Sequence, residues 1–128
     1  IVHELAHSVE ELLGNIIYGD DSIELEFLGK RKKLYHLLLY HGYSVKESDF
    51  YNTEYSEEFD MFLYKDVGYG KLSNFTSGLF LSPYGATSLR EYFANCFEHF
   101  YLLDRRYVRD IAPQVFTKIN TIENTTEI

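Results

Sequence analysis

The chain opens on Ile1-Val2-His3-Glu4-Leu5-Ala6-His7-Ser8-Val9-Glu10-Glu11-Leu12-Leu13-Gly14, and the fold follows from how this stretch is read. Val2, Leu5, Val9, Leu12 and Leu13 recur at helical spacing, and Gly14 is a natural stop, so the pattern predicts an amphipathic helix over 1–13. On such a helix His3 and His7 lie four apart on one face, where two imidazoles can share one ion. Glu4 stands about 100° round from His3, near enough to serve as a base without binding metal itself. H-E-x-x-H on a helix is therefore the pattern of a zinc site with two ligands and a general base.

Composition narrows what surrounds that helix. A chain of 128 residues that is 45% hydrophobic, with 12 Tyr and 10 Phe, is long and apolar enough to bury a core. Its apolar runs all fall far short of the roughly 20 residues of a membrane span. A net charge of −8 argues against a nucleic-acid surface, since the basic run Lys30-Arg31-Lys32-Lys33 has no extension into a stripe. That run reads as the solvated start of a helix. Cys96 is alone, which excludes an internal disulfide and a cysteine-based zinc knuckle. No initiator methionine and no signal peptide precede the H-E-x-x-H helix, so a longer protein with an upstream segment is expected.

Beyond the first helix, Gly19-Asp20-Asp21-Ser22 reads as a turn. The alternation Ile23, Leu25, Phe27 fits a short strand or the start of a helix, and the pattern leaves both open. Residues 30–41 predict a helix around Leu34, Leu37 and Leu38, ended by Gly42. Residues 44–55 read as polar loop. Ser56 can cap a helix through Phe59, Phe62 and Leu63 that stops near Gly68. Gly68, Gly70 and Gly78 then suggest a loop, with Leu79-Phe80-Leu81 briefly extended. Thr87 or Ser88 opens a helix over roughly 88–103, and Pro113 fits the first turn of a last one, 113–122, with a frayed polar tail.

Two histidines leave a catalytic zinc in need of a third protein ligand and an open position. A metzincin would continue with a glycine and a third histidine where this chain has Glu10 and Leu13, which excludes that class. A carboxylate on a later helix is expected instead. Glu54, Glu57, Glu58, Glu91 and Glu98 all compete, and composition does not choose among them. His36, His41 and His99 have no ligand-like spacing and are assigned to surface or core.

"HELAHSVEELLG" (3–14) together with "SPYGATSLREYFANCF" (82–97) resembles the catalytic domain of anthrax lethal factor and its relatives, which include the secreted Pro-Pro endopeptidases. In that family H-E-x-x-H is followed by a Tyr-Gly segment, and seven residues after the Tyr comes a Glu in an E-[FY]-F-A-x-x-F helix. Here Tyr84-Gly85 precedes Glu91-Tyr92-Phe93-Ala94, with Phe97 in register. "RDIAPQVFTKIN" (109–120) is similar to the family's closing Ala-Pro helix. The stretch between the motifs is longer than in lethal factor, with 83 residues separating His7 from Glu91, and residues 43–80 form the extra segment.

The resemblance implies that His3, His7 and Glu91 bind Zn2+, that Glu4 is the general base, and that Tyr84 steadies the oxyanion. Asn95, four residues after Glu91, is the candidate to accept a hydrogen bond from a ligating histidine, and Glu11 is read as solvated helix face. The implied fold is α+β but predominantly α, a single zincin-like catalytic domain over 1–128. This would be the C-terminal part of that domain, with the upstream edge strand missing. The implied activity is zinc-dependent endopeptidase action on a protein or peptide substrate, in an extracellular or secreted setting. The alternative is a non-catalytic module within a larger toxin or particle, with zinc as a folding staple.

Overall fold

A computed structural model describes residues 1–126, and helices carry most of them. In chain order these are α1 (Val2–Tyr18), α2 (Ser22–Tyr40), α3 (Glu47–Phe50), α4 (Glu57–Met61), a π-helical segment (Phe62–Gly68) and α5 (Tyr69–Thr76). A 3₁₀ turn (Pro83–Ala86), α6 (Leu89–Leu102), α7 (Arg105–Ile111) and α8 (Pro113–Thr126) complete the chain. The expected predominance of helix is observed. No strand occurs among the described residues, so the β component of the α+β expectation is not found in them.

The first helix is longer than its pattern predicts. Leu13 leaves helical geometry (φ −119°, ψ 22°), one residue before the expected stop at Gly14, yet the chain re-enters the helix and runs to Tyr18. Burial supplies the reason: Ile17 is fully enclosed and the Tyr18 ring packs edge-on against Phe93. The buried positions of α1 are Ala6, Glu10 and Ile17, whereas Leu5 and Leu12 face solvent. The apolar stripe assigned from sequence is therefore only partly the core face.

The turn at 19–22 is observed. Asp20 Oδ1 accepts from the Ser22 amide (3.1 Å) and hydroxyl (2.8 Å), and Asp21 takes the left-handed conformation (φ 61°) that Asp tolerates better than most residues. The open reading of residues 23–27 resolves to helix, since α2 begins at Ser22 and buries Ile23, Phe27, Arg31, Leu34 and Leu38 along one side.

Arg31 overturns the reading of the basic run as a solvated helix start. Its residue is 1% exposed, in the middle of α2, with the guanidinium stacked over Phe59 (4.3 Å) and Phe27 (4.8 Å). Nε donates to Ala86 O (2.6 Å) and Nη2 to Thr87 O (2.9 Å). Nη1 faces Asp49 O (3.2 Å), Phe50 O (3.3 Å) and Asn52 O (3.2 Å). Burial pulls its pKa down to about 10, which still leaves it charged at neutral pH. Lys30 is also drawn inward, donating to Ile111 O (2.6 Å). A buried guanidinium fits because its planar fork matches several carbonyls at once.

Other expectations shift at their edges. The polar stretch 44–55 contains α3, whose Phe50 is buried against Phe59. The glycine-punctuated region holds α5, with Leu72 and Thr76 buried along it and Gly70 tolerated inside, while Gly68 (φ 86°) and Gly78 (φ 84°) mark the breaks on either side. α7 was not expected, and α8 continues past 122 to Thr126; residues 127–128 of the supposedly frayed tail lie outside the described residues. α6 matches its predicted range and is the central element, packed by α1, α2, α7 and α8. Its Tyr92, Phe93, Ala94, Cys96, Phe97 and Phe100 are buried. No described helix is long and apolar enough to cross a membrane.

Replacing Arg31 by Met keeps an apolar stem but removes every donor from these carbonyls. At about 1–3 kcal/mol for each buried group left without a partner, the expected loss is on the order of 3 kcal/mol or more. Urea unfolding followed by circular dichroism measures it, and an unchanged midpoint would remove Arg31 from its role.

Candidate metal centre

α1 and α6 pack along one another, and their contact brings the ends of the two motifs together. Ser88 caps α6, its hydroxyl accepting from the Glu91 amide (3.1 Å). In an S-x-x-E capping box the glutamate would fold back on the cap residue. Here the Glu91 carboxylate turns away to α1 instead. His3 Nε2 donates to Glu91 Oε2 (2.8 Å) and His7 Nε2 to Glu91 Oε1 (3.1 Å). The two imidazoles stand edge to face, with centroids 5.0 Å apart. One ligand atom from each of His3, His7 and Glu91 lies within 4.8 Å of the others, and all three residues are half-buried.

These three residues form a cluster that could hold a metal ion, assembled from positions 84 and 88 residues apart in the chain. Two nitrogens and one oxygen suit zinc, whose ligand atoms in a tetrahedral site are about 3.3 Å apart. The contacts of 2.8 and 3.1 Å are close to that spacing. The ring nitrogens on the far side give a second test. Each Nδ1 points the other way, towards a second carboxylate. His3 Nδ1 faces Glu98 Oε2 (4.0 Å) and His7 Nδ1 faces Glu10 Oε1 (3.6 Å), both acceptors. His7 Nδ1 is buried and finds no hydrogen-bond partner among the described residues. A cation taking the Nε2 lone pairs would put the ring protons on Nδ1, where the carboxylates stand. The donor set is thus compatible with a metal ion.

A cleft of about 840 Å³ opens beside the cluster, lined by His7, Tyr84, Arg90 and Glu91 together with Thr53, Glu54 and Tyr55. Tyr84 is 42% exposed, within the 3₁₀ turn. Partial burial and then the charges of Glu91 and Asp60 hold its hydroxyl above the usual tyrosine range, which keeps it a proton donor. Gly85 behind it sits close to Asn95, and a Cβ there would stand 2.8 Å from Asn95 Oδ1, so that side chain would have to shift. Glu4 is exposed on α1 and lies outside the cleft lining, with no hydrogen-bond partner among the described residues.

Asn95 does not meet its expectation. Its Oδ1 accepts from Ser82 Oγ (3.0 Å), so it braces the segment before Tyr84 and not a histidine. The residue opposite His7 is Glu10, which is 6% exposed and missed from sequence. Its signal was available: three residues after His7, it shares that helix face. Glu54 lines the cleft, whereas Glu57 and Glu58 are exposed and belong to no metal-like cluster among the described residues. Glu11, His36 and His41 are exposed and His99 is half-buried. Burial and the nearby charge of Glu26 push the Cys96 thiol up, which suits a core side chain and not a ligand.

Comparison with protein-family models, with curated proteins and with solved structures finds no match to this chain.

Titration with Zn2+ is expected to load one ion per chain and raise the melting temperature, an effect removed by a chelator. Glu91→Ala should abolish most of that occupancy while Glu57→Ala and Glu58→Ala leave it intact. Full occupancy in Glu91→Ala, measured by atomic absorption after desalting, would dissolve the assignment.

Proposed function

We propose that the chain is the metal-binding part of a zinc-dependent endopeptidase, a zincin-like domain of the lethal-factor-like class. The observation that carries the reading is the meeting of His3, His7 and Glu91 beside a cleft that Tyr84 borders. The spacing from Tyr84 to Glu91 supports the same reading. His3, His7 and Glu91 would hold the ion; when bound, zinc lowers the pKa of a water towards ~7 and polarises the scissile carbonyl.

The chain's own groups then divide the work. Glu4 follows His3 on α1 and is engaged by no described partner, so its carboxylate can take a proton from the attacking water. The water oxygen adds to the carbonyl carbon, and the proton held by Glu4 passes to the amine nitrogen as the C–N bond breaks. Tyr84, kept protonated and leaning out at the cleft, donates to the oxygen that gains charge. A purely structural metal staple has no use for either residue. Thr53, Glu54 and Tyr55 also line the cleft, so the segment 43–80 contributes to it through these residues. Tyr69 is bound to Asp60 Oδ1 (2.6 Å) and Tyr51 to Glu47 (2.8 Å), and neither lines it.

Glu4→Gln preserves shape and removes the base, with an expected fall of ~10²–10⁴ in rate. Tyr84→Phe removes one donor, for a loss of about 10²–10³ in kcat. Both should bind zinc and melt as the parent does. The assay is cleavage of a peptide library. Undiminished cleavage by Glu4→Gln would rule out the hydrolytic mechanism, and metal binding without any cleavage in the parent would favour the non-catalytic module.

Tyr55→Ala is the corresponding test of this part of the lining. It should change the cleavage profile without lowering zinc content. Shortening 44–55 is unsuitable for this purpose, since Arg31 depends on the carbonyls of Asp49, Phe50 and Asn52.

A further inference from the structure

Behind His7 lies a polar group that the proposed chemistry does not use. Glu10 is buried on α1, yet it carries three polar neighbours. Tyr18, one helical stretch further along α1, donates its hydroxyl to Glu10 Oε2. Arg90, from the first turn of α6, donates Nε to Glu10 Oε1 (2.6 Å). The same Oε1 stands 3.6 Å from the orphaned His7 Nδ1. A carboxylate taken this far out of water is costly unless it is paired and hydrogen-bonded. Tyr18 and Arg90 supply that compensation. The arrangement still leaves one acceptor facing a ring nitrogen at a distance just beyond a hydrogen bond.

We infer that Glu10, braced by Tyr18 and Arg90, is the positioning residue of the metal centre: it fixes His7 as the Nδ1–H tautomer, so that Nε2 presents its lone pair to the ion. The inference rests on the metal-centre reading of His3, His7 and Glu91. A carboxylate receiving the far N–H of a ligating histidine fixes the ring and raises its basicity. Glu10 does this from within α1 itself, three residues on from the ligand. Its bond to Arg90 adds a second role, because Arg90 is the residue before Glu91. One buried carboxylate thus sets the ring of one ligand and ties down the helix turn that carries another. Glu98, opposite His3 at 4.0 Å and far more exposed, is a weaker counterpart.

Zn2+ affinity measured by competition with a chromogenic chelator tests this without any assay of activity. Glu10→Gln should bind zinc about 10–100-fold more weakly than the parent, the range for loss of such a partner. Glu10→Asp should recover part of that loss, and Glu98→Gln should show a smaller one. If the Gln variant does not fold, the zinc-loaded parent decides by long-range ¹⁵N–¹H correlation of the His7 ring. An Nδ1 proton shifted far downfield by a carboxylate acceptor supports the inference, and one at the shift of an imidazole N–H without such a partner overturns it. A parent that binds zinc and a folded Gln variant that equals it overturn this inference alone. A parent that binds no zinc overturns the metal-centre reading and takes this inference with it.

Discussion

The buried guanidinium of Arg31 is the constraint on which the rest of the structure depends. It sits between Phe27 and Phe59 and collects carbonyls from two separate pieces of chain, 49–52 and 86–87. One piece leads into Thr53, Glu54 and Tyr55, the wall of the cleft; the other joins the Tyr84 turn to the cap of α6. Neither segment has a strand ladder to fix it, so a single side chain stands in for one. Backbone carbonyls buried in a helical protein need donors from somewhere. Here they come from α2.

Two glutamates play the complementary part between helices. Glu26 of α2 accepts from the Tyr92 hydroxyl (2.7 Å) and the Gln114 amide (2.8 Å), joining α6 and α8. Glu10 does the same between α1 and α6. The chain's excess of acid is thus partly internal. Each such carboxylate is held by directed bonds, so it specifies where helices meet as well as adding stability. That helps explain how α1 and α6 register closely enough for His3, His7 and Glu91 to touch.

What the sequence made legible was local. H-E-x-x-H states its own geometry, because four residues along a helix always share a face, and α6 announces itself through Ser88 and its run of aromatics. The choice of Glu91 over its rivals was not local, because it depends on α1 lying along α6. Only the resemblance singled it out, and the structure places it against both histidines. Arg31 was misread for the same reason: its acceptors are distant in sequence, and a run of four basic residues looks solvated. Leu5 and Leu12 have the right spacing for a core but lie on the open side of α1, while the polar Glu10 is inside. Helical period gives a stripe, and only neighbours decide whether water or protein covers it. Glycines at 68, 70 and 78 hid α5, whose buried Leu72 and Thr76 outweigh a modest propensity cost.

The π-helical segment between α4 and α5 has a consequence for how this chain can vary in length. A π turn closes on the fifth residue back and not the fourth, so it holds extra backbone relative to an α-helix over the same rise. Phe62–Gly68 is therefore a place where slack is stored, with Tyr64, Lys65 and Asp66 on its open side, and it ends at Gly68, whose backbone (φ 86°, ψ 131°) breaks the helix before α5. Losing one residue there would let the segment tighten towards an α-helix, and Gly68 is the joint at which α5 would be re-aimed. The bond from Tyr69 to Asp60 spans that joint, whereas the one from Tyr55 to Asp60 does not. Length change in this region is in effect a re-aiming of α5, felt first in how it seats against the turn that carries Tyr84.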